Sequence, residues 1–475
     1  MKMKVGDEEL CLTPSGDEAK GWQYVYPLKC DDKSKLQNWK LTSSGSNRYS
    51  ITNEVFGDKR YLRTYGGATS IALDRDMSGY TSMRSWEISV GRNNEIRLWN
   101  VYSRDLGQWK TVSVNAQSKA VGLTVPDGKT LDVWHYGIDM PTPQFPVTGT
   151  KKVLLMATHF SDETAAGSAQ VKKTVMGEDY APWYEDKSFK NYLTQTSGGK
   201  LATQWKFLEE VNIGARPASC DSNTLLNAAR KAATERQVDP KDYDYLFVSI
   251  NQWGACSWAG LASVPGRWVL ANGGAAHKFW TWSHEFGHAM GAYHAKILYG
   301  CTQENDVTRL DNQCQSYDWG KVPTDPMGGG GASQFPLPYL HFVGWQDDKD
   351  VPWIHTAGTY KLDPLWKRGN AAQGYRLRRS DGSVLFLEFR KPSQPFETWW
   401  EEDPFVNGLI VYIAKYSNNT ITNTLVNMTP NSGTSMSDAP LMKSRAFDDT
   451  LSGFRIRLVS ENYNSAEIQV EKLPE

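Results

Sequence analysis

Apolar and polar positions fall into three textures along the chain. Up to about residue 128, short alternating runs are interrupted by Gly, Ser, Asn and Asp, a pattern of small β-strands joined by turns. Between about 131 and 345 the period changes. Residues 152–160 form a strongly apolar strand. A helix follows, capped by Asp221-Ser222, whose Leu225, Ala228, Ala229, Ala232 and Ala233 recur three and four apart. Asp239-Pro240 ends it, and 243–251 and 267–271 read as further strands. This alternation predicts an α/β layer. After about 349, strands return at 358–362, 375–378, 384–389, 409–413, 454–459 and 466–470, which predicts a β-sandwich. The fold expected is multidomain α+β, divided at 1–130, 131–348 and 349–475.

Composition adds exclusions. The 475 residues exceed one compact core, and 40 % apolar with 22 % charged content is that of a folded chain. A net charge of −1, from 52 basic and 53 acidic residues without a basic block, excludes nucleic acid as the expected partner. No apolar run is long enough for a membrane span. The first residues show no apolar leader segment, so a secreted protein is expected here without a visible signal. Six cysteines fall into neighbouring couples, Cys11 with Cys30, Cys220 with Cys256 and Cys301 with Cys314. Local, even spacing predicts disulfides and an oxidising compartment.

The strongest chemical signal is His284-Glu285-Phe-Gly-His288-Ala-Met-Gly291-Ala-Tyr-His294. Residues four apart share a helix face, so His284 and His288 can address one ion. Gly291 accepts positive φ and lets the chain turn to bring His294 in as third ligand. Three imidazoles leave one position open, which is the catalytic zinc pattern, and Glu285 is placed as general base. Such a helix would not bury three imidazoles and a carboxylate without partners.

These residues resemble the signature of the metzincin zinc proteases. Thr324-Asp-Pro-Met327-Gly resembles the Met-turn of that clan, which implies that Met327 is a floor beneath the ligands. Trp258-Ala-Gly-Leu-Ala262, Leu340-His-Phe-Val-Gly-Trp345, Val426-Asn-Met-Thr-Pro430 and Asp438-Ala-Pro-Leu441 are similar to the gametolysin family over roughly 150–475. Asp318-Trp-Gly-Lys321 departs from the Tyr-Gly-Asp expected there, and Gly329 stands where some relatives carry a Tyr ligand. The resemblance implies that the strand before the metal helix, Trp268, Val269, Leu270 and Ala271, pairs with an extended peptide substrate. At the N-terminus, Leu10-Cys-Leu-Thr-Pro14, Cys30 and Gln37-Asn38-Trp39 resemble a ricin-B-like β-trefoil lectin module. Arg84-Ser85-Trp86 and Gly107-Gln108-Trp109 are its degenerate echoes. The module implies carbohydrate as a partner beside a protein or glycoprotein substrate, with Trp22, Tyr24 and Trp39 as candidate stacking faces.

Other candidates weigh less. His135, His159, His277, His341 and His355 stand alone and read as structural, and Tyr293 is a candidate oxyanion donor. Glu401-Glu402-Asp403 reads as a solvated loop. Asp-rich loops keep calcium as a second candidate ion, without calcium-loop spacing. Asn418 and Asn427 begin glycosylation sequons. The expected function is a secreted zinc endopeptidase. The alternatives are a carbohydrate-binding lectin or adhesin with an inactive protease fold, and a zinc-stabilised structural domain.

Overall fold

The computed structural model describes all residues except 6–7, 18–21, 32, 46–47, 66–69, 76–80, 91–94, 109, 116–117, 119, 126–133, 136–141, 165–166, 178–186, 319–320, 332, 355, 368–370, 430–431 and 475. Two compact units form, Met1–Asp139 and Met140–Glu475, where three were expected.

The first unit is a β-trefoil. Its strand pairings close into a ring that runs from Lys2–Val5 through Trp22–Lys29, Arg48–Asn53 and Glu95–Asn100 back to its start. Leu12, Leu62 and Val112, about fifty residues apart, all lie in one buried core with Trp86. The repeat shows in its hydrogen bonds. Trp39 Nε1–H donates to the Leu12 carbonyl at 2.7 Å, and Trp86 Nε1–H to the Leu62 carbonyl at 2.8 Å. Asn53 Nδ2 donates to the carbonyls of Leu36 and Asn38, and Asn100 Nδ2 to those of Met83 and Ser85. Two consecutive repeats therefore share one Trp clasp and one Asn clasp. Trp109, the expected third echo, lies outside the described residues.

The second unit begins with a five-stranded sheet in the order Leu201–Asn212, Gly149–His159, Tyr245–Ile250, Trp268–Asn272, Gly260–Ala262. The first four strands are parallel and the last is antiparallel. Helix Ser222–Glu235, capped by the Asp221 carboxylate as its sequence predicts, packs Leu225, Leu226 and Ala229 against Leu154, Met156 and Val248 on one face. The opposite face carries Val153, Phe247 and Val269 against the helices Phe189–Thr196 and Phe279–Met290. Phe247 stacks on Trp282 with centroids 5.6 Å apart.

Two six-stranded sheets follow and enclose a second core that includes Leu385, Leu387, Val411, Phe447, Ile456 and Ile468. The sandwich is not confined to 349–475. Lys296–Tyr299, Thr302–Glu304, Val307–Leu310 and Gln315–Tyr317, which directly follow His294, supply strands to both sheets. The Val384–Phe389 and Leu409–Ser417 strands also bury their other face, through Phe386, Ile410 and Tyr412, in the core that holds the metal-motif helix. A sheet covered on both sides reads as continuous apolar sequence. Position 349 is thus no domain boundary: the hydrophobic core runs across it.

All three expected disulfides form: Cys11–Cys30, Cys220–Cys256 and Cys301–Cys314. No helix among the described residues is long and apolar enough to cross a membrane.

Candidate metal centre

The motif occupies helix Phe279–Met290, which stops at Gly291 with φ of +107°. Two constraints demand glycine there: that φ, and the Asn419 carbonyl 2.6 Å from where a Cβ would stand. The turn returns His294 toward the helix. His284 Nε2 and His288 Nε2 each lie 3.2 Å from His294 Nε2.

The outer ring nitrogens fix the tautomers. His284 Nδ1–H donates to the Pro326 carbonyl at 2.8 Å and His288 Nδ1–H to the Ala292 carbonyl at 2.8 Å. A carbonyl only accepts, so the Nε2 lone pairs of both rings face inward. Burial first, and for His284 and His288 the neighbouring imidazoles too, lowers all three histidines, His288 to about 4. With His294 in the tautomer that carries its proton on Nδ1, three lone pairs converge on one point that suits a cation. A tetrahedral ion of zinc's size holds nitrogens about 3.3 Å apart, close to the spacing found. The donor set therefore fits such an ion. Among the described residues this is the one group of three metal-binding side chains that converges.

Glu285 is buried on the same helix, and burial alone pushes its carboxyl up to about 8 in the metal-free protein. Gly260 makes room for it: a Cβ there would stand 2.6 Å from both Glu285 Cγ and Oε1. The cleft above, about 860 Å³, is lined by the three histidines, Glu285, the Gly260–Ala262 strand and the rings of Trp258, Trp280 and Tyr293.

Met327 lies buried in the short helical turn Pro326–Gly328, among the residues that line the cleft. A Cβ on Gly287 would stand 2.2 Å from Met327 Sδ, so the methionine packs on the metal-motif helix at the bare position next to His288. Asp325 caps the turn through Met327 N–H at 2.8 Å.

The expected substrate edge is corrected. Trp268–Asn272 is an inner strand, paired on one side to Tyr245–Ile250 and on the other to Gly260–Ala262. Val269, Leu270 and Ala271 are buried, and Trp268 is partly buried. The free edge beside Glu285 belongs to Gly260–Ala262, because the chain forms a hairpin before entering the metal-motif helix.

Other candidates find separate places. His159 Nδ1–H donates to the Phe160 carbonyl, His277 packs against Gly167, and His341 meets Asp348 and Arg376. His355 and the His135 side chain lie outside the described residues. Tyr293 is exposed at the cleft. Glu401 and Glu402 are exposed, and Asp403 caps the helix Pro404–Asn407. Asp318 pairs with Lys296, while 319–320 lie outside the described residues. Of the sequons, Asn418 is exposed, whereas Asn427 is fully buried and donates to Ser432, Gly433 and Ser435, which excludes it as an acceptor. In the trefoil, Trp22 and Tyr24 stand on an outer strand face at 42 % and 56 % exposure, while Trp39 is half-buried by its clasp. Sequence reasoning passed over Trp280 as a cleft residue and Gly260 as the space beside Glu285.

No protein-family model matches the chain, and no curated protein matches it. Among solved structures the chain is similar to the designed threefold-symmetric protein ThreeFoil, at 14 % identity over 28 % of this chain and 94 % of that one, TM-score 0.24. It is also similar to the cytolethal distending toxin of Haemophilus ducreyi, at 18 % identity over 29 % and 81 %, TM-score 0.23. A third likeness is to the Polyporus squamosus lectin, solved with a human-type influenza-binding epitope, at 15 % identity over 49 % and 73 %, TM-score 0.22. Likenesses at these scores carry no functional argument, and the trefoil stands on its own repeated clasps.

Proposed function

We propose that residues 140–475 form a zinc-dependent endopeptidase of the metzincin, gametolysin-like type. The observation that carries the reading is the convergence of His284, His288 and His294 in an open cleft beside a buried Glu285 that has no hydrogen-bond partner among the described residues. In this reading the three Nε2 atoms hold the ion, and the Pro326 and Ala292 carbonyls keep the first two rings oriented. Bound zinc supplies Lewis acidity toward a carbonyl and toward water. Glu285 accepts the proton of the attacking water at its carboxylate and returns it to the leaving amine. Gly260–Ala262 offers its free edge to an extended peptide, which pairs with it as an added strand. Trp258, Trp280 and Tyr293 shape the flanking subsites.

Three disulfides suit an oxidising, extracellular setting. For the trefoil we propose carbohydrate binding, supported by the exposed Trp22 and Tyr24, which would keep the protease near a glycoprotein and raise local substrate concentration. The same aromatics support the second reading, a lectin whose protease unit is inert. Incubation of a denatured protein mixture with the full chain, before and after chelation and zinc restoration, separates the two. Cleavage that disappears and returns supports the peptidase; intact substrate throughout, with binding to a glycan array, supports the lectin.

A further inference from the structure

Two contacts run from the C-terminal sandwich into the loops around the histidines. Both start on the Thr420–Val426 strand. Ile421 N–H donates to the Gly291 carbonyl at 2.9 Å, and the Ile421 carbonyl accepts Tyr293 N–H at 2.9 Å, so the loop that carries His294 is bridged to the sheet. Two residues further along the same face, Asn423 is fully buried and its Nδ2 donates to Asp325 Oδ2 at 2.9 Å. Asp325, itself fully buried, accepts Met327 N–H through its other carboxylate oxygen and the Gly328 and Gly330 N–H groups through its carbonyl. The next carbonyl, Pro326, receives His284 Nδ1–H. A chain of hydrogen bonds thus leads from Asn423 through Asp325 and the tight turn to the ring of His284.

The side chain has a cost that its packing does not explain. Among the described residues Asn423 Oδ1 is buried without a partner, and an apolar side chain there would leave no such acceptor unsatisfied. What the amide supplies is the donor to Asp325. The same carboxylate accepts Met327 N–H within the turn it shapes and meets the buried Tyr339 hydroxyl.

We infer that Asn423 is a positioning residue for the metal site, and that with the Ile421 backbone it makes the sandwich the frame on which His284 and His294 are set. The inference rests on the metal-site reading above. An outer partner of this kind typically changes metal affinity 10- to 100-fold.

The test uses the full chain and compares the parent, Asn423→Ala, Asn423→Ser and Thr422→Ala. Thr422 neighbours Asn423 in sequence but lines a separate cavity on the other side of the strand. Zinc affinity is measured by competition with a chromophoric chelator, and the visible spectrum is recorded after cobalt substitution. The expected result is a 10- to 100-fold weaker zinc affinity and shifted cobalt bands in Asn423→Ala, partial recovery in Asn423→Ser, whose hydroxyl can donate, and parent values in Thr422→Ala. Circular dichroism of the metal-free proteins shows whether the fold persists. An Asn423→Ala protein that is folded and binds zinc within twofold of the parent, with unchanged cobalt bands, overturns the inference. So does failure of both Asn423 variants to fold, since the role is then structural. A parent that binds no zinc overturns the metal-site reading itself, an outcome distinct from equal binding by parent and variant.

Discussion

Gly260→Ala is the most informative single methyl group that can be added to this chain. The strand position itself tolerates alanine, since Gly260 has no positive φ. The new Cβ would stand 2.6 Å from Glu285 Cγ and Oε1, and ordinary contact begins at 3.4 Å, so the carboxylate must retreat by roughly 0.8 Å. Glu285 is only 6 % exposed and has little space for that movement. Misplacing a catalytic group by about 1 Å costs on the order of 100-fold in rate, or about 2.7 kcal/mol of transition-state stabilisation. The histidine rings lie outside the three nearest contacts of the added methyl, so zinc content stays at the parent level. The assay is kcat and KM on a fluorogenic peptide, with zinc quantified and a thermal melt recorded. The expected result is kcat down about 100-fold with zinc unchanged. Full activity would show that the position of Glu285 does not matter to turnover. A fall in zinc matching the fall in rate would show that the methyl acts through the ligands instead.

Two further predictions concern the same unit. In metal-free protein the Glu285 carboxyl is raised to about 8, so between the ordinary carboxylate range and pH 8 the unfolded chain is ionised while the folded one holds its proton. Its contribution to stability is therefore lost as pH rises through that window. The thermal midpoint of the apo-protein should fall from pH 5 to 8 more steeply than that of Glu285→Gln; parallel curves would remove the assignment. Truncation after residue 348 strips the covering sheet from the core shared by Phe286 and Ile410, so the remaining fragment should be insoluble or molten by near-ultraviolet circular dichroism. A soluble, cooperatively melting 140–348 fragment would restore the boundary that the shared core removes.

Local chemistry was the legible part of the sequence. The three histidines and Glu285 sit at spacings that one helix and one glycine turn impose, and the disulfides join cysteines near in sequence. The Asp221-capped helix announced itself through its three-and-four spacing. What could not be read depends on long-range pairing. Gly260–Ala262 is a three-residue strand without alternation, and only the hairpin back onto Trp268–Asn272 makes it the sheet edge. Leu201–Asn212 alternates exposed with partly buried residues over 202–207 along an outer strand, so no apolar run marks it. The Asn423–Asp325 bond spans 98 positions, and the strands after His294 join sheets whose remaining members lie more than 40 residues further on. The trefoil's second Trp clasp was blurred by uneven Trp spacing and shows only when Trp86 is seen donating to Leu62 as Trp39 does to Leu12.

The central claim is that three imidazoles hold an ion beside a carboxylate that moves the proton. Casein cleavage by the purified chain, run beside Glu285→Ala with bound zinc quantified in both, tests it most directly. The expected result is one zinc per chain in both proteins and cleavage by the parent alone. Equal cleavage by the two proteins, or full zinc in both with no cleavage of casein or of any glycoprotein tried, would contradict it.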